Sequence, residues 1–218
     1  MGQIIRLGVP SAFERVTLSA GQLVITSLAT GMGSSVLAAH QLANTAESIC
    51  YMPAFGFNVA VTTLVAQSLG AGEKKMAKDF AWLCIRYSVI IMIVCAALMY
   101  IFAPQMIGFF IKDTAVITLG ASMLRIIAFA EPAVAVATVI PGILRGAGDT
   151  RWPFYISIIG MWVVRMSLAM VLIKIFDVGL IGIWIPMGLD WIVRTMVGLW
   201  LIRGGKWLHV WDHQHEII

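Results

Sequence analysis

The stretch from Leu64 to Asp79, LVAQSLGAGEKKMAKD, joins two long apolar runs through Gly70 and Gly72 and a cluster of Lys74, Lys75 and Lys78. A chain that crosses a bilayer, turns at its surface and goes back reads in this way. The pattern recurs. Six segments, roughly 4–30, 35–69, 76–102, 115–145, 153–176 and 179–202, reach the ~20 residues a helix needs to cross a ~30 Å hydrocarbon core. All are longer than a strand and none alternates with period two, so helices are predicted over a barrel. The gaps between them are short and rich in glycine, with no room for a soluble domain. The expected fold is therefore all-α, an integral membrane bundle of six transmembrane helices over residues 1–206, followed by a cytoplasmic tail over 207–218.

Composition agrees. The chain of 218 residues is 60% hydrophobic and 12% charged, whereas soluble domains carry about 25% charged residues. That little charge cannot coat a soluble surface of this size. The net charge of +4 is not a nucleic-acid signal, because the basic residues gather in the gaps. Arg6, Lys74, Lys75, Lys78, Arg145, Arg151, Arg203 and Lys206 fall on one side, against Lys112 and Lys174 on the other. The excess of positive charge assigns the first side, and with it both termini, to the cytoplasm. Cys50, Cys84 and Cys95 lie inside apolar runs without metal-site spacing and read as small core residues. No signal peptide is apparent: the first run holds Glu14 and Arg15, and no small-residue cleavage site ends it. In the tail, Trp207 and Trp211 suit the membrane interface. His209 and His213 share a helical face, but a solvated tail explains His209, His213 and His215 more simply than a metal site.

Charged residues in mid-bilayer cost ~2.5–3.5 kcal/mol on insertion scales, so each needs a reason. Arg15, Arg86, Arg125, Arg165 and Arg194 are the basic residues within the segments, with Arg86 and Arg194 expected to snorkel. Glu14 follows Pro10 by one helical turn, and Thr17 and Gly21 continue its face. It is read either as a proton or cation site beside a carbonyl freed by the proline, or as the partner of an arginine on a neighbouring helix. The second segment carries a polar stripe of His40, Asn44, Glu47, Tyr51, Asn58 and Thr62, with Pro53 bending the helix partway. A lipid-facing helix would not keep such a stripe, so it meets another helix or a water-filled cavity, and the cavity is the favoured expectation. Glu131, just before Pro132, is a second candidate protonatable site. Asp190 and Arg194 are spaced for an ion pair on one helix. Arg165 is an alternative partner for Asp190 or Glu14. No enzyme motif is present: GAGEKK lacks the spacing of a phosphate loop and follows no strand. Gly142 and Gly146 form a GxxxG, a weak sign of close helix packing.

LAAHQLANTAESICYMPAFGFNVAVTTLVAQSLGAGEKKMAK (37–78) and ILRGAGDTRWP (143–153) resemble signatures of the multidrug and toxic compound extrusion (MATE) family. WVVRMSLA and the later LDWIVR fit its last two helices. The resemblance covers nearly the whole chain and is to the second half of the family's plan. It implies one six-helix lobe of a twelve-helix transporter, with substrates between the lobes and export driven by protons or sodium. Where some branches of that family carry second-lobe acids, this chain has Leu18 and Val134, with Glu14 a turn early and Glu131 nearby. The implied function is secondary active efflux of organic cations or other toxic compounds. The expected pathway residues are Glu14, Asn44, Glu47, Tyr51, Asn58, Glu131, Arg165 and Asp190. No cofactor is expected besides the coupling ion, proton or sodium. Partners would be the lipid bilayer, small-molecule substrates, and a first lobe or a second copy of the chain, in the inner (plasma) membrane. Two alternatives stand beside it, a truncated fragment that does not transport and the membrane subunit of an ATP-driven exporter.

Overall fold

The computed structural model describes the backbone of residues 2–208 and the side chains of residues 12–208. Among the described residues every regular element is helical. Helix α1 (Gly2–Thr30), α2 (Ser34–Gly70) and α3 (Lys74–Gly108) are long and continuous. They are followed by α4 (Thr114–Ala128) and α5 (Glu131–Gly146). Next come α6 (Arg151–Ile158), a π-helical stretch (Ile159–Met166), α7 (Ser167–Lys174) and α8 (Ile181–Arg203).

Four spans are long and apolar enough to cross a membrane: α2, α3, the run Arg151–Lys174, and α8. The bent pair α4 and α5 makes a fifth. The more polar α1, 29 residues long, has the length of a span. The turns form where glycine permits them. After α2 the chain reverses at Gly72, whose φ of 77° is open to glycine and strained for other residues. Asp113 caps α4, its carboxylate accepting from the N–H groups of Ala115 at 2.9 Å and Val116 at 3.4 Å.

The structure departs from the sequence expectation in two spans. Segment 115–145 is not one helix but two, bent by 62°. Pro132 has no N–H to give to the Ala128 carbonyl, so the helical ladder stops there. It restarts with Ala130 as its cap, whose carbonyl accepts from Ala133 at 2.8 Å and Val134 at 2.9 Å. The run 151–174 is helical throughout, but its middle is wound as a π-helix, which shifts every later side chain around the axis. Pro53, by contrast, sits inside a helix that the chain carries through to Gly70.

Helix α2 packs against α3, α4 and α5, and α8 packs against α5 and the π stretch. Two large apolar clusters occupy opposite ends of the bundle. One joins Ala39 and Ala43 to Met99, Ile107, Leu124 and Trp184. The other joins Val61 and Val65 to Ala77, Ile143 and Trp207. Between them lies a small cluster of Ala54, Met92, Val134 and Ala135. Lipid tails are as apolar as leucine, so burial alone does not drive such helices together and close packing has to contribute. Gly142 and Gly146 provide it: a Cβ on Gly142 would lie 2.6 Å from the Asn58 carbonyl oxygen, and one on Gly146 2.6 Å from that of Thr62.

Replacing Gly146 with Leu should therefore destabilise the bundle by about 1–3 kcal/mol or more, the usual range for overpacking. On α2, a Cβ at Gly56 would meet nothing within 4 Å, and Gly56→Ala should instead stabilise that helix by about 1 kcal/mol. Unfolding of the purified protein in a titration of denaturing detergent measures both.

Candidate functional site: a buried charge layer at the helix break

The 130–131 break brings a carboxylate into the bundle. Glu131 begins α5 and is fully buried. Neither of its carboxyl oxygens has a hydrogen-bond partner among the described residues. The positive end of the α5 dipole favours an acid at this position. Glu47, on α2, is 3% exposed and lies in the electrostatic field of Glu131. Tyr51, one turn further along α2, and Cys50 feel both carboxylates.

Arg165, buried on the π stretch, lies in the electrostatic field of Asp190 and of Glu47. Its Nη2 donates to the Met187 sulfur at 2.8 Å, while its Nε has no partner among the described residues. Asp190 on α8 is held by Arg194, four residues on, in a two-pronged pair: Arg194 Nε to Asp190 Oδ1 at 2.6 Å and Nη2 to Oδ2 at 2.8 Å. Arg194 does not snorkel, contrary to the expectation from its place in the sequence. It is buried with its carboxylate and its guanidinium stacks over Trp191, 5.2 Å from the ring centroid. Gly160 makes room for the pair, since a Cβ there would collide with Asp190 Oδ1 and Arg194 Nε. Thr195 ties α8 to the restarted helix by donating to the Ala133 carbonyl at 2.7 Å.

The layer thus gathers Glu47, Glu131 and Asp190 with Arg165 and Arg194. Three acids against two permanent cations leave one negative charge to be neutralised when all are ionised. The ion pair absorbs Asp190, which leaves Glu47 in the field of Arg165 and Glu131 in the field of Glu47.

The remaining candidate residues lie elsewhere. Glu14 accepts from Arg145 Nη2 at 2.8 Å and from Ser157 Oγ at 2.7 Å, which ties α1 to the end of α5 and to α6. Of its two readings, the partner of an arginine on another helix is the one observed. The side chain of Pro10 lies outside the described residues. Gly21, on the same face, packs against Met161. The α2 stripe divides. His40 accepts from the Trp184 indole N–H at 3.2 Å, and Asn44 folds back to donate to the His40 carbonyl at 2.9 Å. Asn58 donates to the Thr138 carbonyl at 2.6 Å and Thr62 to that of Gly142 at 3.1 Å. The second half of the stripe therefore joins α2 to α5, so that here the stripe meets another helix and not the favoured cavity. Two close backbones need such polar links where the glycines bring them together. The histidines at 209, 213 and 215 lie outside the described residues, among which no metal-ligating cluster occurs.

Sequence reasoning had no signal for Met187 as a partner of Arg165, because a π turn leaves no signature in residue spacing. The i, i+4 spacing of Asp190 and Arg194 did give that pair.

Interrupted helices around a buried charge layer define the class, an all-helical bundle with spans long and apolar enough to cross a membrane. Comparison with known proteins makes it specific. The MatE family model matches residues 10–171. The chain is 32% identical over 208 residues to the probable multidrug resistance protein NorM of Thermotoga maritima, covering 94% of this chain and 44% of that protein. It is 29% identical over 182 residues to the probable multidrug resistance protein YoeA of Bacillus subtilis, covering 84% of this chain and 39% of that one. The fold is shared with a MATE protein solved in its bent conformation, with a TM-score of 0.86 at 22% identity over 94% of this chain and 46% of that one. The chain belongs to the MatE family, and it spans less than half the length of these relatives.

Removing one member of the buried pair leaves the other charge uncompensated, at a cost of about 3–5 kcal/mol. Asp190→Asn should destabilise the protein by about that much, and Asp190→Asn with Arg194→Gln by less than the sum of the single changes. A double-mutant cycle on detergent-induced unfolding reads the difference.

Proposed function

We propose that this chain is one lobe of a MATE-type exporter that performs secondary active multidrug efflux, exchanging organic cations or other toxic compounds for protons or sodium. The names of its relatives support the efflux reading. The observation that carries the coupling is Glu131, fully buried at the restart of a broken helix with neither carboxyl oxygen engaged. Ionisable groups at such depth mark ion pathways and proton relays, and interrupted helices near mid-membrane frame the binding sites of many secondary transporters.

The chemistry follows from the charge count. A proton or a sodium ion brings the one positive charge that the layer lacks. The oxygens of Glu47, Glu131 and Tyr51 are hard donors suited to sodium as well as to a proton. With the cation present, Glu131 no longer repels the Glu47 carboxylate, which attracts Arg165. Without it, Arg165 is drawn between Glu47 and the Asp190 pair. Two arrangements of Arg165 then bias two arrangements of the helices around it, which is how a gradient tips a two-state element. Arg165 lies on a π stretch, where winding is already irregular and a shift of register costs least.

In this reading Glu14 is a strut rather than a coupling group, since Arg145 and Ser157 occupy it. Asn44, Tyr51 and Asn58 belong to the wall of the pathway. Both termini face the cytoplasm, and the chain pairs with a first lobe or with a second copy of itself in the inner membrane. A half-length chain without such a partner would not transport, which is the second reading that its span of under half its relatives supports.

Ethidium accumulation in efflux-deficient cells measures the proposal directly. The chain, alone or with a first lobe supplied, should lower accumulation, and an uncoupler should abolish the effect. Glu131→Gln and Glu47→Gln should each remove most of it, about tenfold or more in rate for a lost ion-coupling group, whereas Glu14→Gln should leave coupling intact in whatever protein reaches the membrane. Normal export by both layer variants would sink the assignment. If export persisted under the uncoupler while ATP stayed high, an ATP-driven exporter would replace the antiporter.

A further inference from the structure

His40, near the start of α2, stands outside the charge layer and meets Trp184, near the start of α8. Both side chains are fully buried, and the rings pack edge to face with centroids 5.9 Å apart. An indole nitrogen can only donate. The contact from Trp184 Nε1 at 3.2 Å therefore fixes His40 Nδ1 as an acceptor that carries no proton. An imidazolium donates from both ring nitrogens, and the place opposite Nδ1 is taken by a donor. Arg165 of the π stretch acts on the ring with a charge of the same sign as an imidazolium. The other charged groups on the elements around it are engaged or turned elsewhere. Glu47 and Glu131 belong to the layer, Asp190 is paired with Arg194 and Glu14 with Arg145, and Arg125 of α4 is exposed beside Tyr100. Helix α3 brings Met99 and Ile107 to the cluster that holds Trp184. The site is built for the neutral ring.

We propose that the His40–Trp184 contact is an acid-released latch: protonation of His40 breaks its bond to Trp184 and lets the first turns of α8 part from α2. A proton on Nδ1 would set two donors against each other and put a cation into a fully buried site, so the closed latch takes none. Once open to water, the ring takes one below the ordinary histidine pKa of ~6.5. The open form thus binds more protons than the closed one. The closed form is favoured above that range and loses its advantage as pH falls below it. The start of α8 is suited to part there. Pro186 has no N–H for the Gly182 carbonyl, so the turn that bears Trp184 is held to the rest of the helix by one bond fewer. Met187, the partner of Arg165, follows in the next turn, which puts the latch beside the charge layer. On the orientation read from charge this is the outer end of the bundle, the side from which a proton-driven exporter takes its protons. That use of the latch rests on the antiport reading, whereas its response to acid does not.

The test is hydrogen–deuterium exchange of the purified 218-residue chain in detergent micelles, read by mass spectrometry. It is run at about pH 7.5 and about pH 5, either side of the ordinary histidine range. After correction for the intrinsic pH dependence of amide exchange, segments 34–44 and 181–187 should exchange about fivefold faster at the lower pH, the factor for losing one neutral hydrogen bond. Segments 61–69 and 139–144, in the cluster at the other end, should not change. His40→Asn keeps an acceptor for Trp184 but takes no proton, and it should remove the acid response. Trp184→Phe removes the donor, and its two outer segments should exchange fast at both pH values. Glu131→Gln should leave the response intact, which separates the latch from the coupling layer. No change on acidification, an equal change in all four segments, or an undiminished response in His40→Asn would each overturn the proposal. Should His40→Asn not fold, Trp184→Phe decides: protection and acid response equal to those of the wild type would overturn it.

Discussion

In the apolar middle of a bilayer each backbone polar group must find its partner within the protein, and a missing donor cannot be replaced by bulk water. Pro132 creates such a missing donor in the middle of a span. The chain answers by ending α4 at Ala128, bending by 62° and restarting at Glu131. Much else depends on that break. It turns the first residue of α5 into the bundle, brings its acid into the field of Glu47, and leaves the Ala133 carbonyl where Thr195 of α8 can reach it. The cost of interrupting a helix in lipid is met by neighbours, and the same neighbours make the charge layer.

The packing around the break follows the same logic. Where α2 and α5 come closest, Gly142 and Gly146 remove side chains, and Asn58 and Thr62 spend their polar groups on carbonyls of the facing helix. Where α8 meets the π stretch, Gly160 leaves space for the Asp190–Arg194 pair. Small residues and satisfied polar groups hold helices together where the hydrophobic effect gives little. The acids that remain outside such arrangements are Glu47 and Glu131, and the proposed coupling rests on them for that reason.

Much of the architecture was legible from apolar runs and glycine turns, because the bilayer imposes length and the turns impose residue type. The ends of α2 and α8 came within a few residues of the expected segments. The break in the fourth span was not read, although Pro132 was in plain view, since a proline within an apolar run can either kink or end a helix. The π stretch leaves no periodic trace. The site was legible in part. Glu131, Glu47, Arg165 and Asp190 were singled out by the cost of burying charge, and all four are buried in the structure. Glu14 was singled out on the same ground, but its partner Arg145 lies 131 residues away, and spacing along one helix says nothing of contacts across the bundle. The α2 stripe shows the same limit: periodicity located its face but not which half meets α5.

The proposed coupling has Glu47 and Glu131 exchange a proton or sodium within the buried layer. Infrared difference spectroscopy of the reconstituted protein observes carboxyl groups directly, as pH is stepped or sodium is added. A carboxyl band should change, and it should be lost or shifted in Glu131→Gln and altered in Glu47→Gln. If the wild type shows no carboxyl change over either step, or if both variants keep it unaltered, the charge layer is structural and coupling must lie outside this lobe.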